Sequence, residues 1–212
     1  MRPGKFIAFE GGEGAGKSTQ ARLLADALRA RGLEVVETRE PGGTPGAEAI
    51  RELLLGLEGD GWNPYAEALL FAAARSDHVE KLIRPALEAG KWVICDRFVD
   101  SSRAYQGAAG GLSDDVIFAL HRIGSGTALP DLTLLIEVSA EVVANRLARR
   151  DAGRTDRIGG RDAAYHGKVD AAFVRFARAE PQRFARIDGN GAIEQTHAQI
   201  MTVLEPLLDA AQ

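Results

Sequence analysis

The sequence predicts an α/β fold, a parallel sheet flanked by helices, and three features of the chain lead to this prediction. Short apolar segments and segments with helical periodicity alternate from one end to the other, which is the order of β-α units. The segment KWVICD (91–96) is too apolar to have a solvent-exposed face, as expected for a strand inside a parallel sheet that helices cover on both faces. A glycine-rich loop joins the first predicted strand to the first predicted helix, which is a position where α/β proteins bind phosphates.

Five short segments are the predicted strands of the sheet. Each is a short apolar or alternating run, and most of the apolar residues are β-branched or aromatic. The chain has no internal repeat and no low-complexity linker, so we expect residues 1–212 to form one domain. In chain order the predicted strands are KFIAFE (5–10), EVVETRE (34–40), KWVICD (91–96), DLTLLIEV (131–138) and FARIDG (184–189).

The predicted helices carry apolar residues at helical spacing, and some begin with a capping residue. In the first helix Ala21, Leu24, Ala25 and Leu28 lie on one face. Ser113 and Ser139 are candidate N-caps of later helices. Two charged segments, 39–46 and 149–162, are predicted loops. The predicted helices are residues 17–32, 62–90 (as one or two helices), 112–124, 139–150 and 192–211.

The bulk properties of the chain exclude several classes of protein. With 212 residues, 45% of them hydrophobic and 26% charged, the chain can bury a core without disulfides. A net charge of −4 argues against a general nucleic-acid binder, and no apolar run reaches the roughly 18 residues that span a bilayer. Cys95 is the only cysteine, so no intrachain disulfide can form. We therefore expect a cytoplasmic protein that binds neither nucleic acid nor membranes.

The segment EGGEGAGKST, residues 10–19, is typical of a loop that binds phosphates. Gly11, Gly16, Lys17 and Ser18 match the pattern G-x-x-x-x-G-K-[ST] between a predicted strand and a predicted helix. In such a loop the backbone N–H groups point at phosphate oxygens, the lysine reaches the β- and γ-phosphates, and the hydroxyl binds Mg²⁺. A glycine-rich turn with a chance lysine is the alternative, which the flanking strand and helix disfavour. The predicted nucleotide-binding residues are Gly11, Gly12, Glu13, Gly14, Ala15, Gly16, Lys17, Ser18 and Thr19.

A second phosphate-handling element follows the strand 91–96. Asp96 ends this buried strand, at the edge of the sheet where nucleotide sites of doubly wound folds gather. The carboxylate could hold Mg²⁺ directly or through water, and the planar guanidinium of Arg97 suits a phosphate. An acid and an arginine at a strand end can also be a surface ion pair, but the phosphate-binding loop favours the functional interpretation.

The number and positions of the arginines indicate which class of phosphate-binding protein this is. Phosphate-binding loops occur in motors, GTPase switches and small-molecule kinases, and this chain has no Asn-Lys-x-Asp element for reading guanine. It does have arginines in separate segments, namely Arg39, Arg75, Arg97 and a cluster from Arg149 to Arg157. A site that binds the phosphates of a single nucleotide needs fewer arginines. The pattern favours two phosphorylated substrates that face each other, one a donor and one an acceptor.

Several longer motifs resemble bacterial thymidylate kinases, which transfer the γ-phosphate of ATP to dTMP and produce dTDP. They are TREPGGTPGAEAIRELLL, LLFAAAR, DRFVDSSRAYQG and DRI after a basic segment, in matching order and spacing. The resemblance runs from about Lys5 to beyond Ile187. It implies a P-loop kinase with a five-stranded parallel sheet and a flexible lid at about 149–162, with ATP and dTMP as substrates, Mg²⁺ as cofactor and a homodimer as the assembly.

The resemblance also implies an acceptor site. Phe71 would stack on the thymine ring, and Arg75, one helical turn later, would donate to the base oxygen at position 4. Tyr105 would crowd the sugar 2′ position and disfavour a ribonucleotide. Taken alone, a phenylalanine such as Phe71 in an alanine-rich helix is more often a core residue, and Tyr105 could be an ordinary packed aromatic; the matching spacing of the motifs favours the binding roles. The further implied contacts are Pro41 against the base, Ser102 and Gln106 at the base edge, and Arg39 and Arg97 on the acceptor phosphate.

The catalytic charge is expected to come from the lid. Phosphoryl transfer depends on alignment and on positive charge around the moving group, and no x position of the phosphate-binding loop is basic. By resemblance Arg154, and next Arg150, would contact the γ-phosphate and act with Lys17 and Arg97. Arg157 and Asp156 would hold the closed lid. A solvated basic loop is the alternative.

Three positions qualify the resemblance. Gly159 stands where the family commonly has a glutamate after DRI, and Ala74 stands where relatives often have an aspartate before the arginine of the base-reading helix. Glu13 places an acid within the phosphate-binding loop. The resemblance implies that Glu13 faces the acceptor and accepts a hydrogen bond from the sugar 3′-hydroxyl, and an exposed, merely tolerated glutamate is the alternative.

Other functions stay open at this point. Within kinases these are another nucleoside monophosphate kinase or a deoxynucleoside kinase, although Arg39 and Arg97 favour an acceptor that already carries a phosphate. A P-loop ATPase or switch belongs to a different class. It would hydrolyse ATP without a nucleotide acceptor.

Overall fold

The protein folds as a five-stranded parallel sheet covered by helices on both faces, as predicted. The computed structural model describes residues 4–56, 61–150 and 158–209, except for the side chains of residues 147–150. All five predicted strands are found, in the order β2-β3-β1-β4-β5, and each differs from its predicted range by at most one residue at either end. The strands are β1 (Phe6–Glu10), β2 (Val35–Arg39), β3 (Trp92–Asp96), β4 (Leu132–Glu137) and β5 (Phe184–Asp188).

The helices surround this sheet, and two of them continue into wider π-helical turns. Within the predicted segment 62–90, residues 64–88 form one continuous helical run in which the π-helical turn Val79–Ile83 joins two α-helices. Pro85 lacks an amide hydrogen, so the regular hydrogen-bond ladder is interrupted next to that turn. The second π-helical segment is Arg103–Ala109. The α-helices are α1 (Lys17–Ala30), α2 (Pro45–Gly56), α3 (Pro64–His78), α4 (Arg84–Glu88), α5 (Val99–Ser102), α6 (Asp114–Ser125), α7 (Ala140–Arg150), α8 (Ala163–Ala179) and α9 (Ile193–Asp209).

The prediction of a loop over residues 39–46 is wrong at its end, because α2 already begins at Pro45. Thr44 caps this helix: its Oγ1 accepts a hydrogen bond from the backbone N of Ala47 at 3.3 Å. A threonine followed by proline at the first helical position is a start signal that the sequence contains. The candidate caps Ser113 and Ser139 are confirmed, since each hydroxyl accepts from the backbone N three residues later, at 3.3 and 3.4 Å.

The core lies on both faces of the sheet. Side chains of β1 alternate, so that Ile7 and Phe9 pack towards α1 and α9 while Phe6 and Ala8 pack on the opposite face. The predicted face of α1 is buried, with Leu24 and Leu28 fully enclosed. No helix in the described part of the chain is long and apolar enough to cross a membrane.

The register of the strands brings the candidate site residues to one edge. Asp96, the last residue of β3, lies beside Arg39 of β2 on one side and Phe9 of β1 on the other. The phosphate-binding loop leaves β1 immediately after Phe9 and Glu10. Three segments predicted separately from sequence therefore meet at the carboxyl edge of the sheet, where ligands of open α/β sheets bind.

Candidate active site

The loop 11–16 has the backbone shape of a phosphate cradle. Gly11, Gly14 and Gly16 have φ values of 137°, 69° and 97°, a region that side chains disfavour. A Cβ at Gly11 would also lie 2.5 Å from the backbone oxygen of Ile136. Lys17 folds over this loop, and its Nζ donates to the backbone oxygens of Gly11 at 3.1 Å and Gly12 at 2.7 Å. Burial, and then the nearby Arg97 charge, lower the pKa of Lys17 to about 8.

Ser18 and Asp96 form the oxygen pair expected of a magnesium site. The Ser18 hydroxyl donates to Asp96 Oδ2 in a very short contact. Asp96 Oδ1 is buried and has no hydrogen-bond partner among the described residues. A hydroxyl beside an unsatisfied carboxylate oxygen offers the hard ligands that Mg²⁺ prefers, and Mg²⁺ commonly takes only one or two protein ligands besides phosphates and water. The residues present therefore fit this ion.

Arg97 points from the end of β3 back to the phosphate-binding loop. Its φ of 71° is unusual for a residue other than glycine and turns the side chain into the cavity. Nη1 donates to the backbone oxygen of Gly11 and to Ser101 Oγ, both at 3.2 Å, and Nη2 contacts Glu13 Oε1 at 3.4 Å. The guanidinium also lies 5.1 Å from the centre of the Tyr105 ring. Arg97 thus connects the loop 11–16 with the rest of the cavity.

Glu10 is a buried carboxylate behind Arg97 that the sequence analysis missed. It accepts hydrogen bonds from the backbone N of Phe98 at 2.9 Å, the backbone N of Ser101 at 3.0 Å and Ser101 Oγ at 2.6 Å. Burial, followed by repulsion from Asp100, raises the pKa of Glu10 to about 7. Because Ser101 in turn accepts from Arg97, Glu10 fixes the turn that aims Arg97. An acid that ends an otherwise apolar strand was the available signal.

The loop after β2 forms the other wall of the cavity. Arg39 is half-exposed, and its Nη2 contacts both carboxylate oxygens of Glu48, at 3.1 and 3.0 Å. The N–H of Gly43 and then Arg39 lower the pKa of Glu48. Pro41 follows a cis peptide bond, and its backbone oxygen accepts from Arg51 Nη1 at 2.8 Å. Arg39 and Pro41 both line the cavity, and Arg39 is paired with the Glu48 carboxylate.

Arg75 is buried and held by a partner that the sequence analysis did not identify. Its Nε donates to Glu40 Oε2 at 2.7 Å, and its Nη2 donates to Ser102 Oγ at 2.9 Å. The ring of His78 contacts the other oxygen of Glu40 at 3.1 Å. Glu40 is thus the acidic partner of Arg75 in this chain, where position 74 is alanine. The guanidinium also lies 5.3 Å from the centre of the Phe98 ring, which holds it at the cavity wall.

The remaining predicted base-contact residues surround the same end of the cavity. Phe71 is half-buried, and Ser102, Tyr105 and Gln106 are buried. Tyr105 Oη and Gln106 Oε1 have no hydrogen-bond partner among the described residues. Buried polar atoms of folded proteins are normally paired, so these two atoms mark places where a ligand's polar groups would bind.

One cavity of about 550 Å³ joins the two groups of residues, which is the usual size of a small-molecule site. The predicted residues that line it are Glu13, Gly14, Gly16, Lys17, Ser18, Thr19, Arg39, Pro41, Phe71, Arg75, Asp96, Arg97, Ser102, Tyr105 and Gln106. Gly11, Gly12 and Ala15 are not among the lining residues. The lining residues that the sequence analysis missed are Glu40, Arg51, Leu55, Phe98, Ser101, Arg146 and Ile158.

Comparisons with known proteins agree with this geometry. The family model described as thymidylate kinase matches residues 9–200. The chain belongs to the thymidylate kinase family. It is 56% identical over 206 residues to the thymidylate kinase of Rhizorhabdus wittichii, covering 97% of this chain and 99% of that protein. The thymidylate kinase of Nitrobacter hamburgensis is 49% identical over 202 residues, with coverage of 95% and 88%. The crystal structure of thymidylate kinase from Ehrlichia chaffeensis superposes with a TM-score of 0.78 at 33% identity, covering 96% of this chain and 100% of that one.

Family membership assigns the activity as ATP-dependent phosphorylation of dTMP to dTDP.

Beside the phosphate-binding loop, Arg146 of α7 is a further cation that the sequence analysis did not select. Its Nη1 donates to the backbone oxygen of Ala15 at 2.9 Å, and its Nη2 donates to that of Gly189 at 2.7 Å. The side chains of the predicted lid arginines are not described. Arg154 lies outside the described residues, and only the backbone of Arg150 is described, at the end of α7.

Proposed function

We propose that this protein transfers the γ-phosphate of Mg·ATP in line to dTMP, with the donor at one end of the cavity and the acceptor at the other. The observation that carries this proposal is the continuity of the cavity. The phosphate-binding loop with Lys17 lines one end, and an aromatic ring beside a buried arginine lines the other. Bringing two reactants into one aligned site is the main contribution of a protein to this reaction.

At the donor end, backbone N–H groups of the loop 11–16 bind the phosphates and Lys17 reaches the β- and γ-phosphates. The lowered pKa of Lys17, about 8, still leaves most molecules protonated at neutral pH. Phosphate oxygens would replace the two backbone oxygens to which Nζ now donates. Ser18 and Asp96 would hold Mg²⁺, which when bound supplies positive charge to the β- and γ-phosphate oxygens.

At the acceptor end, Phe71 stacks on the thymine ring and Arg75 donates to the oxygen at position 4. Cytosine presents an amino donor at that position, so the buried guanidinium favours thymine. Ser102 and Gln106 lie at the base edge, Pro41 packs against the base, and Tyr105 is next to the sugar 2′ position. Arg39 and Arg97 bind the acceptor phosphate. To do so, Arg39 would give up its contact with Glu48 and donate to a phosphate oxygen instead.

Glu13 serves the acceptor and not the donor. The contact between its Oε1 and Arg97 Nη2 supports a carboxylate that faces the acceptor side of the loop. A hydrogen bond from the sugar 3′-hydroxyl to Glu13 would then place the sugar and the acceptor phosphate together. An acid cannot stabilise the negative charge of the transition state, so Arg154 and Arg150 of the segment 149–162 are the proposed sources of that charge.

We also propose that the protein acts in the cytoplasm as a homodimer. Large apolar side chains are exposed on three helices, with Leu53 on α2, Leu69 on α3 and Ile123 on α6 exposed to 54%, 55% and 85%. Helix α3 packs against both α2 and α6. Large apolar side chains exposed on adjacent helices support a subunit interface on these helices.

An ADP-release assay across acceptors tests the proposed reaction. ATP and Mg²⁺ are supplied with dTMP, dUMP, the ribonucleotide of thymine, dCMP, dGMP or AMP, and ADP is measured with a coupled enzyme. We expect turnover that depends on an acceptor and is fastest with dTMP. ADP release without an acceptor, as from an ATPase or switch, or a preference for a purine acceptor, would contradict the proposal.

A further inference from the structure

The side-chain amide of Gln106 has one end bound and one end unsatisfied. Its Nε2 donates to Glu67 Oε1 at 3.0 Å. Its Oε1 is buried without a hydrogen-bond partner among the described residues, and the residue lines the cavity. A buried acceptor beside a ligand cavity is where a donor group of the ligand would be accommodated.

The carboxylate of Glu67 determines which end of the Gln106 amide stays without a hydrogen-bond partner. A carboxylate has only acceptors, so the NH₂ group of Gln106 must face Glu67 and the carbonyl must face the other way. Without such a partner the two ends of a glutamine amide are nearly equivalent in shape, and the amide could turn over. The orientation of Gln106 is therefore a consequence of the residue at position 67.

Arg161 holds Glu67 in turn. Its Nη2 donates to both carboxylate oxygens of Glu67, at 3.0 and 2.7 Å, and Glu67 itself is only 4% exposed at its side chain. The Arg161 guanidinium lies 4.4 Å from the centre of the Tyr165 ring, whose hydroxyl donates to the backbone oxygen of Tyr105 at 2.7 Å. The carboxylate is thus anchored from α8 and from the segment before it, next to the backbone of Gln106.

Helix α3 presents three groups of the acceptor end at intervals of four residues. Glu67, Phe71 and Arg75 share one helix stripe, with the aromatic ring between the carboxylate and the guanidinium. Arg75 offers a donor to the base, and Gln106, oriented by Glu67, offers an acceptor. Thymine and uracil present an acceptor at position 4 and an N–H donor at N3, whereas cytosine presents the reverse.

We propose that Glu67, held by Arg161, is a specificity-determining positioning residue that keeps Gln106 Oε1 directed at the N3–H of the acceptor base. This inference rests on the proposed function, because it assumes that the pyrimidine acceptor binds at this end of the cavity. Glu67 does not touch the base. It excludes cytosine by fixing the acceptor end of a neighbouring amide.

The test compares kcat/KM for dTMP with kcat/KM for dCMP in the wild type and in Glu67→Gln. The new amide can face Gln106 with either end, so Gln106 is free to turn its NH₂ group towards the base. We expect the ratio of dTMP to dCMP to fall about tenfold or more, mainly through a lower KM for dCMP, since the freed amide can then offer its NH₂ group to the N3 acceptor of cytosine. Glu80→Gln is the matched control: Glu80 is exposed, pairs with Arg84, and loses the same charge, so the wild-type ratio is expected.

A second variant guards against misfolding. Glu67→Gln leaves Arg161 without its carboxylate, whereas Glu67→Gln/Arg161→Met removes both charges and is expected to show the same fall in ratio with near-normal thermal unfolding. A wild-type ratio in both variants, whatever their overall activity, would overturn the positioning role. Failure of the proposed function itself is distinguishable, because the wild type would then show no dTMP-dependent ADP release.

Discussion

Removing the Arg75 guanidinium separates recognition of the base from support of the fold. Arg75 and Glu40 are each about 3% exposed at their side chains and form a 2.7 Å ion pair, so Arg75→Met leaves a buried carboxylate with His78 as its remaining side-chain partner. Breaking a buried pair at one side costs about 3 to 5 kcal/mol of stability. The lost hydrogen bond from a charged donor to the base costs about 1.5 to 3 kcal/mol of binding, or roughly 10- to 150-fold in affinity for dTMP.

The double variant Arg75→Met/Glu40→Gln distinguishes the two effects. Neutralising Glu40 removes the unpaired buried charge, so most of the lost stability in urea unfolding should return, while dTMP affinity by isothermal titration calorimetry should stay low. ATP affinity should remain near the wild-type value in both variants, because Arg75 has no contact with the phosphate-binding loop. Recovery of dTMP affinity together with stability would refute the base-reading role and leave Arg75 a structural residue.

Further predictions concern the loop, the buried acid and the lid. The pKa of Glu10 is raised to about 7 from an ordinary 4.5, so the folded protein binds more protons than the unfolded chain between these pH values. The free energy of unfolding should therefore fall by about 3 kcal/mol as the pH rises through this range. Glu10→Gln should lack this decline when unfolding in urea is measured at a series of pH values. Arg154→Ala should lower kcat by about 10³ or more in steady-state assays, by analogy with arginine fingers, whereas a loss confined to the KM for ATP would indicate a binding role. Glu13→Gln should cost dTMP more kcat/KM than it costs the 3′-deoxy analogue, and equal costs would exclude the 3′-hydroxyl contact.

The elements that sequence predicted well are those specified locally. Strand β3 was evident from a run of apolar residues ending in Asp96, and the glycines of the loop 11–16 signal their own backbone shape. Helix α8 was absent from the predictions even though its buried residues Val169, Ala172, Phe173 and Phe176 follow helical spacing. The signal was present there but was diluted by alanines and charges around it.

The supporting residues of the site could not be predicted in this way, because their roles depend on contacts between distant segments. Glu10 becomes important only when β1 lies beside the turn after β3, and Glu40 only when Arg75 reaches it from α3. Glu67 and Arg161 are 94 positions apart. Acids that orient other side chains carry no pattern of their own, whereas the residues expected to touch the substrates lie in recognisable motifs.

The stereochemical course at the transferred phosphorus tests direct transfer within one cavity. ATP made chiral at the γ-phosphorus with oxygen isotopes is turned over with dTMP, and the configuration of the β-phosphate of the dTDP product is determined by ³¹P NMR. A single in-line displacement between two substrates bound face to face predicts inversion. Retention would require two successive displacements through a phosphorylated protein group and would contradict direct transfer from ATP to dTMP.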